Sequence, residues 1–220
     1  MDRGPRRVIW LGFLSTVGFA LVAYLVARNA TAPFDSLLSS AVQRFESPTL
    51  TELALALSFI GSTKAAVVIS VVVIALLFFV LRHRSELVLF IAAVGGAALV
   101  NDFLKHLFQR ERPTLHRLVE ETGYSFPSGH SMGAFALYGI LVFLLWKHIP
   151  SRIGRALLLL FGAAMILGIG WSRIYLGVHY PSDVIGAYLA SGVWLTASIW
   201  VYQRYRERGL RRRRRHFPGG

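Results

Sequence analysis

The chain has 220 residues, of which 55% are hydrophobic and only 16% are charged, and its formal net charge is +13. This composition is too apolar for an ordinary soluble domain of this length. The absence of cysteine excludes disulfide bonds and thiolate metal ligands.

Six apolar stretches along the chain are long enough to cross a membrane. A bilayer core of about 30 Å takes roughly 20 apolar residues in a helix, and a helix satisfies its own backbone hydrogen bonds in lipid. The pattern predicts an all-α, polytopic membrane protein built as a six-transmembrane-helix bundle. The stretches are residues 8–27, 65–81, 86–108, 130–146, 155–171 and 184–202.

The first stretch also fits a cleaved signal peptide, because arginines precede it and "ARNA" at 27–30 loosely resembles a cleavage site. It is longer than the usual signal core of about 7–15 residues, which favours a retained helix. The second stretch is expected to extend upstream towards Leu53.

The connection 28–52 lies between the first two spans. Its apolar residues have a spacing that suits a short helix lying in the outer interface, although an ordinary loop fits equally well. These residues are Phe34, Leu37, Leu38, Val42 and Phe45.

Basic residues predict the orientation. Six spans place both termini on one side, together with Arg82, Arg84 and the basic segment 147–155, and the positive-inside rule makes that side cytoplasmic. Six arginines on the other side partly offset the bias and invite a functional explanation. They are Arg28, Arg44, Arg110, Arg112, Arg117 and Arg173.

The chain shows no internal repeat, so residues 1–207 are assigned to one membrane domain and residues 208–220 to a basic, disordered cytoplasmic tail. Such a tail is attracted to anionic lipid headgroups, by about 1 kcal/mol for each basic residue near the surface. Nucleic-acid binding is not predicted, because no base-reading module surrounds the arginines.

The first of three polar clusters is "KHLFQRERP" at 105–113. Lys105 and Arg112 are two helical turns apart, which predicts that they share one helix face, and Pro113 is expected to end the helix. Snorkelling of both side chains towards the membrane interface is the alternative.

The second cluster is "YSFPSGH" at 124–130. Gly129 allows close approach of a ligand, and the amides near Ser128 begin the fourth span, where a helix terminus attracts anions. His130 would stand beside such an anion. The alternative is a capping serine followed by an interfacial histidine.

The third cluster is "SRIYLGVHYPSD" at 172–183. Asp183 in the first turn of the sixth helix can reach back to His179, fix its tautomer and raise the basicity of its other nitrogen. Arg173 adds a fork of donors that suits phosphate. Asp183 could instead simply cap the helix.

All three clusters fall at the outer ends of spans, which a bundle brings together. Lys105, Arg112 and Arg173 would repel one another unless an anion of more than one charge lies between them, and a phosphate meets that need. The two histidines supply a nucleophile and a proton donor. The combination predicts a phosphoryl-transfer site that uses no metal.

The motifs K-x6-R-P, P-S-G-H and S-R-x5-H-x3-D, in this order from Lys105 to Asp183, resemble those of the type 2 phosphatidic acid phosphatases. The six-span layout resembles the bacterial membrane branch of that family, which includes phosphatidylglycerophosphate phosphatase B and undecaprenyl diphosphate phosphatases. The resemblance implies that His179 is a nucleophile forming a phosphohistidine, that Asp183 orients it and that His130 is the general acid. It implies a phosphate-binding set of Lys105, Arg112, Ser128, Gly129 and Arg173, with no cofactor.

The resemblance therefore implies a metal-independent lipid phosphatase of the bacterial plasma membrane, acting at its extracytoplasmic face. Undecaprenyl diphosphate, phosphatidylglycerol phosphate and phosphatidic acid are the candidate substrates. A lipid or anion transporter that uses the same cations only for binding is the alternative. Vanadium-dependent haloperoxidases share the motifs but are soluble.

Overall fold

The computed structural model describes residues 3–114 and 116–216, with side chains from Val8 to Arg208 apart from residue 115. The described residues form helices and no strand. The helices are α1 (Arg3–Ala27), α2 (Ala32–Gln43), α3 (Pro48–Ile60), α4 (Thr63–Ala75, continued by a π-helical segment Leu76–Val80), α5 (Arg84–Phe108), α6 (Gly129–Trp146), α7 (Arg152–Tyr175) and α8 (Pro181–His216).

Six of these helices are long and apolar enough to cross a membrane, which confirms the predicted six-span, all-α class. Many large apolar side chains on them point outward, as expected where lipid replaces water around a bundle. Examples are Trp10 and Leu14 on α1, Val71 on α4, and Leu99 and Phe103 on α5. The chain is a multi-pass membrane protein.

The helix predicted between the first two spans is present as α2. The expected upstream extension of the second span is wrong, because residues 48–60 form a separate helix, α3. The break lies at Gly61, where a Cβ atom would come within 2.5 Å of Ile169 Cγ2, and at Ser62, whose hydroxyl caps α4 by accepting from the amide of Ala65. α3 packs against α7 instead of continuing α4.

The core of the bundle is formed by α5, α6, α7 and α8, with α1 packed along α8. α6 packs against α4, α5, α7 and α8, and small or branched residues such as Ala134, Ala136 and Ile140 allow its neighbours to approach closely. We call the end of the bundle where α5 ends, α6 begins, α7 ends and α8 begins the site end.

α5 ends earlier than the sequence predicts. Gln109 adopts a left-handed conformation (φ 46°), so the helix stops at Phe108. The predictions that Lys105 and Arg112 share a helix face and that Pro113 ends the helix are therefore wrong. Arg112 lies on the α5–α6 connection.

α8 continues as helix through His216, beyond the predicted domain end at residue 207. Residues 217–220 of the predicted tail lie outside the described residues.

Candidate active site

The turn that precedes α6 is buried and held from two sides. Ser128 caps α6, as the sequence indicates, and its Oγ accepts hydrogen bonds from Ser131 N (3.4 Å) and Ser131 Oγ (2.9 Å). Asn101 on α5 donates to the carbonyl of Pro127 (3.1 Å), and a Cβ on Gly129 would lie 3.2 Å from Asn101 Oδ1. These contacts fix the start of α6 and the first amides of the helix. Sequence reasoning missed Asn101.

The short connection between α7 and α8 places His179. Gly177 takes a positive φ (71°), and a Cβ there would lie 2.1 Å from the carbonyl oxygen of His116, so the turn requires glycine. The main-chain amide of His179 then donates to the carbonyl of Arg173 (3.3 Å). His179 is 2% exposed and faces the site end.

The two ring nitrogens of His179 have different surroundings. Nε2 lies 3.1 Å from Arg112 Nη1, and Nδ1 lies 3.5 Å from Asp183 Oδ2. Because arginine can only donate, Nε2 accepts, and the proton of the neutral ring is on Nδ1 facing Asp183. Nδ1 makes no hydrogen bond within the described structure, so Asp183 acts on it as a nearby charge.

Burial lowers the pKa of His179 to about 4, because desolvation penalises the imidazolium more than Asp183 favours it. Arg112 and Arg173 lower the pKa further. The ring is therefore neutral at pH 7, with its Nε2 lone pair available to an electrophile once Arg112 moves its hydrogen bond.

Arg112 uses most of its donors on the main chain. Nε donates to the carbonyl of Gly123, Nη2 to that of Thr122 and Nη1 to that of Val178, each at 3.0 Å. Burial lowers the pKa of Arg112. Arg112 therefore joins the α5–α6 connection to the turn that carries His179 and contacts the His179 ring directly.

The side chain of Arg173 is 1% exposed, and one of its N–H groups has no hydrogen-bond acceptor within the described part of the chain. Its Nη1 donates to Ser58 Oγ and its Nη2 to Glu121, whereas its buried Nε has no hydrogen-bond partner among the described side chains and backbone. A phosphate oxygen is the kind of acceptor that would satisfy it. Lys105 and His130 are half-buried and interact electrostatically with Arg173 and Glu121.

Glu121 lies between two of the cations. It contacts Arg173, and its Oε2 is 3.9 Å from Arg112 Nη2. Burial alone would raise the pKa of Glu121, but the charge and hydrogen bond of Arg173 outweigh it and hold the pKa below its ordinary value. The sequence analysis did not identify Glu121 as a site residue.

Arg110 was missed as a site residue. Its Nη1 donates to Asp183 Oδ1 at 2.6 Å, and its guanidinium lies 4.2 Å from the centre of the Tyr180 ring. The one signal in the sequence was its position as a basic residue on the predicted outer side.

The structure thus brings the predicted residues to one end of the bundle. Arg112, His179 and Asp183 meet directly, Arg173 joins them through Glu121, and Lys105 and His130 interact with the same charges. Ser128 donates its amide to the carbonyl of Asp183 (3.2 Å), and Gly129 follows it as the first residue of α6.

A possible metal-ligand group lies elsewhere. Near the start of α5, ligand atoms of His83, Glu86 and His148 lie within 4.8 Å of one another. Glu86 already pairs with the ammonium of Lys147, which opposes a second cation at the same carboxylate. At the site end, the carboxylates of Asp35 and Asp183 pair with Arg110, and that of Glu121 pairs with Arg173.

The model of the PAP2 superfamily matches residues 86–207. Phosphatidylglycerophosphatase B of Bacillus subtilis strain 168 is 33% identical over 172 residues, covering 77% of this chain and 84% of that protein. Undecaprenyl-diphosphatase BcrC of the same strain is 35% identical over 129 residues, covering 56% and 62%. The crystal structure of a transmembrane PAP2 type phosphatidylglycerolphosphate phosphatase from Bacillus subtilis gives a TM-score of 0.79 at 28% identity, covering 90% of this chain and 97% of that one. The chain therefore belongs to the PAP2 superfamily, the family that its three motifs resemble.

Proposed function

We propose that this protein removes the terminal phosphate from a membrane lipid phosphate or diphosphate through a phosphohistidine on His179, without a metal, at the extracytoplasmic face. That it is a lipid phosphatase follows from its family and from relatives named for that activity. The observation that best supports the histidine mechanism is the position of the buried His179 ring, with Nδ1 facing a buried carboxylate and Nε2 facing Arg112.

The first half-reaction transfers the phosphoryl group to His179. A phosphate oxygen takes over the Arg112 hydrogen bond, and the freed Nε2 lone pair attacks phosphorus. The P–N bond forms as the bond from phosphorus to the lipid oxygen breaks, and His130 donates a proton to that oxygen. Asp183 balances the positive charge that the ring of His179 gains.

The second half-reaction returns the enzyme to its starting state. Water attacks phosphorus, His130 accepts its proton, and the P–N bond breaks to release inorganic phosphate and neutral His179. In both steps charge spreads over the equatorial oxygens of the phosphoryl group, where fixed donors are most effective. Arg173 Nε, Lys105 and the amide of Gly129 are the donors that we assign to these oxygens, because the amide of Ser128 already donates to the carbonyl of Asp183.

The lipid is proposed from the relatives. The Bacillus subtilis phosphatidylglycerophosphatase, similar in both sequence and crystal structure, is named for phosphatidylglycerophosphate, and BcrC is named for undecaprenyl diphosphate. All these lipids present a terminal phosphate to the same cations, so phosphatidylglycerol phosphate and undecaprenyl diphosphate are the leading candidates and phosphatidic acid is the third.

The test is phosphate release by purified protein from each of the three lipids in EDTA. We expect release from at least one lipid, its abolition in His179→Ala, and near wild-type release in the matched control His116→Ala, a half-exposed histidine that pairs with Glu46. A need for added Mg²⁺, or activity that survives loss of His179, would contradict the mechanism. Undiminished lipid flux by His179→Ala in liposomes would favour a transporter instead.

A further inference from the structure

Asp35 is a buried carboxylate on α2, outside every motif in the sequence and outside the matched family region 86–207. It is 1% exposed. Its Oδ1 accepts from the amide of Ser182 (2.9 Å), and its Oδ2 accepts from Ser182 Oγ (2.7 Å) and Arg110 Nη2 (2.8 Å). A buried carboxylate needs such partners, and here all of them lie at the start of α8 or on Arg110.

Arg110 connects Asp35 to the site. Nη2 faces Asp35 and Thr31, and Nη1 donates to Asp183 Oδ1 (2.6 Å) and Ser182 Oγ (2.7 Å). Burial lowers the pKa of Arg110, but Asp183 and Asp35 outweigh it and raise the pKa above its ordinary value, so the guanidinium stays charged. A continuous series of charged and polar contacts therefore runs from Asp35 through Arg110 and Asp183 to His179.

This series of contacts affects both the position of the Asp183 carboxylate and the net charge of the group behind His179. Ser125 and the amide of Tyr180 hold Oδ2, the oxygen that faces His179, while Arg110 holds Oδ1. Arg110 alone would cancel the charge of Asp183. With Asp35 included, the group carries a net charge of −1, which favours positive charge on the ring of His179.

We propose that Asp35 is a positioning residue that acts through Arg110 to orient Asp183 and to keep the net charge behind His179 negative. The proposal rests on the proposed role of His179 as nucleophile. A purely structural role, in which Asp35 only anchors α2 to the start of α8, would lower the amount of folded enzyme and leave the ionisation of His179 unchanged.

The kinetic test uses Asp35→Asn in the full-length protein, with Asp102→Asn, which removes an exposed carboxylate on α5, as the matched control. We expect kcat to fall roughly 10- to 100-fold with little change in KM, by analogy with the loss of groups that orient metal-bound histidines. The acidic limb of the kcat/KM profile should move to lower pH by roughly 0.5–1 unit. Arg110→Lys should lower kcat similarly, and adding Asp35→Asn to it should lower kcat by less than Asp35→Asn does alone, because only the effect of the Asp35 charge remains to be lost.

A second readout needs no lipid. In histidine-selective ¹⁵N NMR of the full-length protein in detergent, we expect a wild-type His179 protonated on Nδ1, and a lower ring pKa in Asp35→Asn. If the wild type releases no phosphate from any lipid, the proposed function fails, and the NMR result still decides the role of Asp35.

Wild-type kcat, pH profile and ring pKa in a folded Asp35→Asn variant would overturn the proposal. If the Asp35→Asn variant does not fold, the same measurements on Arg110→Lys test the proposal. Wild-type kcat, pH profile and His179 ring pKa in Arg110→Lys would overturn it, and a lowered kcat with a shifted ring pKa would support it.

Discussion

Arg112 and Arg173 are both arginines, but their N–H groups have different hydrogen-bond partners. Arg112 bonds to three main-chain carbonyls and to His179, so it mainly fixes the loop and the nucleophile. Arg173 retains a buried Nε without a partner in the described part of the chain. At the scale of single residues, Arg173 is therefore the better candidate for direct contact with phosphate.

Replacing Arg173 with lysine removes that Nε donor and the fork while keeping the charge. Because hydrogen bonds to charged groups contribute about 1.5–3 kcal/mol, we expect kcat/KM to fall roughly 10- to 100-fold. Steady-state phosphate release checks this. Arg117→Lys is the control, since the Arg117 side chain contacts the carbonyl of Pro113. Equal activities in the two variants would count against phosphate binding by Arg173.

The ionisation of His179 predicts a pH dependence. Its pKa of about 4 means that the neutral, nucleophilic ring persists well below pH 6.5. As far as kcat/KM depends on the neutral ring of His179, it should stay nearly constant from pH 7 to pH 5 and fall below about pH 4. With an ordinary histidine, half of the rings would be protonated, and kcat/KM halved, at about pH 6.5. A profile on a soluble lipid-phosphate analogue, corrected for its own ionisation, measures this. A fall in kcat/KM with a midpoint near pH 6.5, at a pH that shifts when residues around His179 are substituted, would contradict the lowered pKa.

The sequence predicted the local geometry of the second and third clusters because it is local: the second carries its own cap at Ser128 and the third its own i,i+4 pair of His179 and Asp183. The first cluster has no such local feature, and the geometry predicted for it was wrong.

The sequence did not predict Asp35, whose contact with Ser182 joins positions 147 residues apart, or the contact of Glu121 with Arg173. Such pairs depend on how helices pack, and no spacing along the chain encodes them.

At the scale of elements, the six spans follow from apolar length alone, whereas two helix ends did not. α5 stops at a left-handed Gln109, a conformation usually signalled by glycine or asparagine. The break between α3 and α4 at Gly61 depends on contact with Ile169 of α7, which only tertiary packing provides.

Adjacent glycines on α5 allow a matched test of helix packing. A Cβ on Gly96 would lie 2.2 Å from Trp194 Cζ2 on α8, whereas a Cβ on Gly95 has no described heavy atom within 4 Å outside its own helix. Gly96→Ala should destabilise the protein by about 1–3 kcal/mol, because Trp194 is held by its bond to the carbonyl of Ala92 (3.0 Å). Thermal unfolding in detergent measures this. A Tm of Gly96→Ala equal to or above that of Gly95→Ala would contradict the packing argument.

For the whole molecule, internal pairing accounts for some of the six arginines at the predicted outer end. Arg110 lies between Asp35 and Asp183, and Arg173 pairs with Glu121. The positive-inside rule counts lysine and arginine rather than net charge, so this pairing explains why basic residues lie at this end but does not remove them from the count. The orientation with the site end extracytoplasmic remains a prediction from the larger number of basic residues at the opposite end.

A single-cysteine experiment tests that orientation, since the chain has no cysteine of its own. Glu120, exposed on the α5–α6 connection, marks the site end, and Arg152, exposed at the start of α7, marks the opposite end. A membrane-impermeant maleimide should label Glu120→Cys in intact cells and Arg152→Cys only after permeabilisation. The reverse pattern would place the site in the cytoplasm. The enzyme would then meet lipid phosphates of the inner leaflet, and a substrate whose phosphate is exposed outside, such as extracytoplasmic undecaprenyl diphosphate, would be excluded even though the chemistry at His179 stayed the same.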